Sequence, residues 1–195
     1  GLSDQQILQH IGASETAVEG IFFPDTYYFI KGSSDLDILQ RAYKTMQNHL
    51  QNYWSERVES LPLNTPYEAL ILASIIEKET GAESDRAEIA GVFINRLRKG
   101  MKLQTDPTVI YGLGEQFDGN LRKKDLLADQ EYNTYTRAGL PPTPISLPSL
   151  ASIRAALNPA ETDALYFVAK GNGESEFSTN LADHNKAVNK YQKQQ

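Results

Sequence analysis

The chain has 195 residues, 40% hydrophobic and 23% charged, a globular balance rather than that of a collagen, a coiled coil or a disordered tail. A chain of this size hides roughly 70% of its unfolded surface on folding, so one sizeable core forms without staples. Nineteen Lys and Arg against 25 Asp and Glu leave a net charge of −6, which argues against a broad nucleic-acid or anionic-lipid surface, and the lack of cysteine removes disulfides, thiolate catalysis and Cys-based zinc sites.

The longest nearly apolar run, Ala69 to Ile76, is far short of the ~20 residues that span a bilayer. The sequence opens on Gly1 rather than Met, so the lack of a targeting segment speaks only for this stretch. Cysteine-free composition leaves the compartment open, cytosol or periplasm.

Ser3 opens a first helix through Ile7, Leu8 and Ile11, closed by Gly12. Glu19 to Phe29 is dense in aromatics and β-formers and predicts extended structure, with Pro24 marking an edge or a break. Ser34, with Asp37 three residues on, begins a long helix to about Arg57, striped by Leu36, Leu39, Tyr43, Met46 and Leu50. Leu61 to Pro66 is the clearest interior break. Thr65 caps the next helix, Pro66 fills its first turn and Glu68 closes a capping box; this helix runs to about Thr80. Another starts near Ser84 or Asp85 and ends before Gly100. Beyond it the chain is loop-rich with short helices, one of them over Pro148 to Leu157. Leu165–Ala169 and Glu176–Ser178 flank Gly171-Asn172-Gly173 as a hairpin, and Asn180 caps a last helix to about Tyr191. Helices with a few short strands, not alternating βαβ units, make the fold α+β and mainly helical, ending in a β-hairpin plus helix; residues 160–195 form a candidate ββα unit within one domain of residues 1–195.

The helix through Ala69–Ile76 is apolar on nearly every side and delivers Glu77 and Glu79 at its C-terminal end, where the helix dipole disfavours carboxylates. A solvated last turn with Lys78 as partner is one reading. The other is functional, and helical geometry separates the two acids. The neighbours sharing a face with Glu79 are Leu72, Ile75 and Ile76; those of Glu77 are Leu70, Ala73 and Ser74, smaller and partly polar. Glu79 is therefore the candidate for a carboxyl held neutral near pH 7. Raising a glutamate from about 4.3 to about 6 requires roughly 2–3 kcal/mol of environment. Such an acid suits protonation of a glycosidic oxygen.

Other polar candidates have two readings each. Asp106, after Gln104 and Thr105, serves a site or simply caps a short helix. Tyr132-Asn133-Thr134-Tyr135 interleaves aromatic faces with an amide and a hydroxyl, a mixture that binds sugars, and turn chemistry accounts for Asn133 and Thr134 equally well. Asn180 reads most simply as a helix cap, and His184 as a packing or hydrogen-bonding residue. The three histidines lack metal-ligand spacing, and no Gly-x-Ser-x-Gly, Walker or Rossmann pattern occurs, so neither metal nor cofactor is expected.

Taken together, Glu19-Gly20-x-Phe22-x-Pro24-Asp25-Thr26, Ala73-Ser74-Ile75-Ile76-Glu77-Lys78-Glu79-Thr80, Asn95-Arg96-Leu97, Leu103-Gln104-Thr105-Asp106-Pro107-Thr108, Tyr132-Asn133-Thr134-Tyr135, Gly139-Leu140-Pro141-Pro142 and Asn180-Leu181-Ala182-x-His184-Asn185 resemble the YceG-like family of endolytic murein transglycosylases. The resemblance covers about residues 15 to 191, with no departure at these motifs. It implies a lysozyme-like groove and non-hydrolytic cleavage of the MurNAc–GlcNAc β-1,4 bond in nascent peptidoglycan strands, giving 1,6-anhydro ends. It implies that Glu79 is the catalytic residue, acting as acid and then base, with Gln104, Thr105, Asp106, Tyr132, Asn133, Thr134, Tyr135, Asn180 and Glu19 as substrate-binding candidates and Asp25 as a weaker one. It further implies a single-pass inner-membrane protein with its catalytic domain facing the periplasm, cell-wall synthases as partners, and an N-terminal anchor and LysM-like subdomain absent from this stretch. A lysozyme-type muramidase, with Asp106 or Glu19 as second carboxylate, and a glycan-binding scaffold without activity are the alternatives.

Overall fold

The computed structural model describes residues 1–192. Its centre is a helix wrapped by others. In α3 (Pro66–Glu79) every residue from Ala69 to Ile76 is buried, as the unbroken apolar run requires. Four helices pack on it: α2 (Asp35–Ser55), α4 (Glu83–Arg98), α5 (Asp106–Leu113) and α7 (Leu150–Leu157). α1 (Asp4–Ile11) lies on α2, and a short α6 (Lys123–Leu127) follows a 3₁₀ turn at Gly114–Gln116. Strands β1 (Tyr166–Ala169) and β2 (Ser175–Ser178) form an antiparallel hairpin with Tyr166 opposite Ser178, and α8 (Leu181–Tyr191) packs back on both strands. The fold is thus α+β, mostly helical, with one small hairpin among the described residues.

Local chemistry sets the ends of these elements. Ser3 and Gln6 close a capping box on α1, Ser34 and Asp37 close one on α2, and Gly12 ends α1 at φ 69°. At α3 the expected box is altered. The Thr65 hydroxyl accepts from Glu68 N, but the Glu68 carboxylate turns to Asn64 N (2.7 Å) instead of Thr65 N. Likewise Thr105, not Asp106, occupies the cap position of α5.

Residues 19–29 form no strand, contrary to the β-rich reading. No partner strand is available among the described residues, and Pro24 cannot donate to one. The segment runs instead as a loop that buries Ile21 completely. Gly20 sits at φ 79°, and a Cβ there would fall 2.3 Å from Pro144 Cβ, so only glycine allows this crossing.

The hairpin is tied to the core through α4. Asn95 Nδ2 donates to Thr162 O (2.6 Å) and Ala164 O (3.1 Å), and Arg96 Nε donates to Leu165 O (2.7 Å). Gly91 permits this approach, because a Cβ there would lie 2.8 Å from Ala160 O and 2.7 Å from Thr162 Cγ2. Gly91→Ala is therefore expected to cost about 1–3 kcal/mol through overpacking against backbone. Thermal melting should register a fall of roughly 3–10 °C; an unchanged midpoint would refute the tight crossing.

Candidate functional site

The two glutamates at the end of α3 point to different environments. The partly polar face that carries Ser74 and Glu77 receives residues 145–152. Ile145 N donates to Ser74 Oγ (3.0 Å), and Ser149 N (2.9 Å), Ser149 Oγ (2.6 Å) and Ser152 Oγ (2.6 Å) all donate to Glu77 Oε2. Burial works to raise the Glu77 pKa, but these hydrogen bonds, with the charge of Arg86, outweigh it and hold the carboxyl below its ordinary range. Glu77 is an ionised fastening at the N-terminus of α7, where the dipole favours it.

Glu79 takes the opposite course. It is half-buried over the apolar face of α3, and desolvation pushes its pKa up to about 7. A hydrogen bond from Thr105 and the charge of Arg96 pull the other way, and Asp106 adds to the rise. The Thr105 hydroxyl donates to Glu79 Oε1, which explains why Thr105, although it stands at the cap position of α5, makes no side-chain cap hydrogen bond there. Oε2 accepts no hydrogen bond from the described residues and is the oxygen free to carry a transferable proton.

Glu79 opens on a groove of about 500 Å³. Phe93, Leu103, Phe167 and Val168 give it apolar surface, while Gln104, Asp106, Tyr135, His184 and Asn185 supply polar groups. Tyr135 donates its hydroxyl to Asp106 Oδ1 (2.5 Å), and burial, then this bond, raise the tyrosine pKa. Gln104 adopts φ 53° without being glycine, and its N–H donates to Thr134 O (3.1 Å). Such a strained residue beside a displaced acid marks a shaped site. A hollow of about 610 Å³ between α4 and the 159–163 turn contains neither glutamate.

Of the sequence candidates, Glu79, Gln104, Thr105, Asp106 and Tyr135 share this groove. The others stand elsewhere. Asn133 is fully buried, donating to the carbonyls of Asp125, Leu126 and Ala128 while its Oδ1 accepts from Tyr135 N. Thr134 is buried too, its hydroxyl accepting from Thr105 N (3.0 Å) and bonding Thr108 Oγ1. These two residues build the loop that carries Tyr135 and Thr105. Tyr132 bonds the Thr143 hydroxyl and packs on Tyr111, off the groove lining. Asn180 caps α8, accepting from Asp183 N, and Glu19 lies near Tyr111. Asp25 accepts from the adjacent Thr26 N.

The opposite wall, from α4, β1 and α8, was not singled out as a site from sequence. Arg96 is only 7% exposed, and the His184 ring stacks on Tyr166 at 5.1 Å. The signal for Arg96 was its spacing: three residues after Phe93 and seven after Ile89, a cation on the buried face of an apolar helix. No local pattern marks His184, whose partner Tyr166 lies 18 residues earlier.

Comparison with known proteins identifies the family. A family model described as the YceG-like family matches residues 2–190. A Bacillus subtilis (strain 168) protein named endolytic murein transglycosylase is 45% identical over 175 residues, 89% of this chain and 48% of that protein. A Streptococcus pneumoniae (D39) protein of the same name is 33% identical, over 88% of this chain and 32% of its own length. This chain thus spans about half of the first relative and a third of the second. The crystal structure of a putative yceG-like protein from Listeria monocytogenes superimposes with a TM-score of 0.78 at 38% identity, covering 93% of this chain and 62% of that one. With a family model matched over nearly its whole length and close relatives on most of it, the chain belongs to the YceG-like family.

Proposed function

We propose that this chain is a peptidoglycan lytic transglycosylase that cleaves the β-1,4 bond between MurNAc and GlcNAc within glycan strands, with Glu79 as its catalytic residue. The observation that carries the reading is Glu79 itself: a carboxyl with a pKa near 7, one oxygen held by Thr105 and the other free, facing a groove of about 500 Å³. The protonated acid donates to the leaving GlcNAc oxygen. The resulting carboxylate then takes the proton of the C6 hydroxyl on the same MurNAc, which attacks C1 and closes a 1,6-anhydro ring. A tethered hydroxyl outcompetes bulk water through its high effective concentration. One carboxyl is thus restored to its starting state without a second catalytic acid.

Gln104, Asp106 and Tyr135 line the same groove and are suited to holding sugar hydroxyls and amides. Residues 1–195 act in this reading as one catalytic domain, and the ββα unit from 160 onward supplies one groove wall. The site of action is extracytoplasmic, at the cell wall. Anchorage through a membrane segment and contact with cell-wall synthases rest on the family resemblance alone, since no helix among the described residues is long and apolar enough to cross a membrane.

A hydrolytic muramidase is the second reading, favoured by one observation: Asp106 places an exposed carboxylate in the Glu79 groove. Mass spectrometry of digested peptidoglycan separates the two. Anhydro-MurNAc ends, one water lighter than reducing ends, are expected; reducing ends alone would overturn the transglycosylase reading in favour of hydrolysis.

A further inference from the structure

Arg96 is a buried cation without a counter-ion. None of the ion pairs among the described residues includes it. Its Nε donates to Leu165 O (2.7 Å), and its Nη1 donates to Lys102 O (3.2 Å), Leu103 O (2.8 Å) and Gln104 Oε1 (3.4 Å). These bonds fix the plane of the guanidinium. They leave Nη2 with no acceptor among the described residues, in a side chain that lines the groove. The guanidinium carbon lies 5.0 Å from the centre of the Tyr166 ring, and the same ring stacks with His184 at 24° between planes. His184 also lines the groove, and its Nδ1 is buried without a hydrogen-bond partner.

Three main-chain carbonyls and an amide oxygen solvate the guanidinium but do not neutralise it. Leaving a buried charge uncompensated is costly, and an arginine fork with a spare edge matches a carboxylate in shape and charge. The acids of the groove do not fill this role. Glu79 makes neither a hydrogen bond nor an ion pair with Arg96 among the described residues, its Oε1 being held by Thr105, and Asp106 is engaged by Tyr135. Burial, then the charge of Arg96, lower the His184 pKa, so it adds no second cation at neutral pH.

We propose that Arg96 and His184 form a carboxylate-binding corner of the groove, which takes an acid carried on the side arm of the muramyl sugar. The proposal rests on the glycan-cleaving reading of the groove. Two sources share this chemistry: the lactyl carboxylate left when a stem peptide is removed, and the carboxylates of an intact stem. A GlcNAc-only strand has neither. The corner would therefore distinguish peptidoglycan from chitin by charge, in the same groove as Glu79.

The test is direct binding to the Glu79→Gln protein, which is expected not to cleave, with three oligosaccharides of equal length. These are stem-bearing glycan, amidase-stripped glycan and a chitin oligosaccharide. At least one carboxylate-bearing ligand should bind about tenfold or more tighter than chitin, with the advantage shrinking as salt rises. Stem-bearing or stripped glycan as the tighter of the two names the source. Arg96→Lys keeps the charge and loses the fork, and should lose much of the preference. Because Arg96 also holds main chain, His184→Glu is the second variant: it offers the guanidinium an internal carboxylate and should erase the preference while the melting temperature holds. Equal binding of all three ligands overturns the carboxylate corner alone. A preference untouched by both variants does the same. Failure of every ligand to bind overturns the glycan-groove reading itself, and this proposal with it.

Discussion

Glu79→Gln should reduce glycan cleavage by at least about 10³-fold while making the protein more stable at alkaline pH. Glutamine matches the shape of the acid and can still accept from Thr105, but it has no proton to give the leaving oxygen. The stability gain follows from the same burial. Glu79 has a pKa of about 7 in the folded chain, against about 4.3 unfolded, so the native state binds the extra proton between those values. Wild-type stability therefore declines as pH rises through that window, and the variant is spared the decline. Allowing for partial exposure, the difference should reach on the order of 2 kcal/mol above pH 7 and vanish below pH 4. Wild-type cleavage should likewise fall as pH rises through about 7, where the acid loses its proton. Paired melting curves at pH 4 and pH 8 test the first part, and a pH–rate profile tests the second. Equal stability of the two proteins at pH 8 would show that the carboxyl is ordinarily solvated.

Glu77→Ala is expected to have the largest effect on folding. It removes the acceptor of three hydrogen bonds from Ser149 and Ser152 and leaves those donors at a partly buried helix start. The loss should be about 2–4 kcal/mol, or roughly 5–12 °C in melting temperature. Its pH dependence has the opposite sign to that of Glu79. The Glu77 pKa is depressed by folding, so its contribution is complete above the unfolded value of about 4.3 and is lost as pH falls through the folded one. The gap between wild type and Glu77→Ala should hence be widest at neutral pH and close in acid. Cleavage by the folded variant should persist far above the Glu79→Gln level. A variant as inactive as Glu79→Gln, with wild-type stability, would reverse the two roles.

The division between these acids was legible before any coordinates, because it depends only on helical periodicity and the sizes of residues at i−3, i−4 and i−7. Helix ends at Ser3, Gly12, Ser34 and Asn180 were legible for a similar reason: caps are local. What failed was non-local. Residues 19–29 have the composition of a strand, yet a strand needs a neighbour that composition cannot supply. Asn133 and Thr134 read equally well as sugar ligands or as turn residues, and carbonyls of 125–128 and the hydroxyl of Thr108 decide for the turn. Tyr135, one residue on, lies in the groove because Asn133 and Thr134 hold the turn beneath it. Arg96 and His184 meet through Tyr166, a contact between three elements that no single window of sequence contains.

The separation of Glu77 and Glu79 also has a mechanical side. Two residues along an α-helix amount to about 200° of rotation, so the acids leave α3 on nearly opposite sides. The bonds of Glu77 to the start of α7 act as a torsional lock on the last turn of α3, at the point where intrahelical hydrogen bonding gives out. With that turn unable to roll, the aim of Glu79 is left to its own side-chain rotations, and Thr105 restrains those. A helix end, ordinarily the part of a helix that frays first, is thereby made into a stiff mount for the carboxyl that we propose as the catalytic acid.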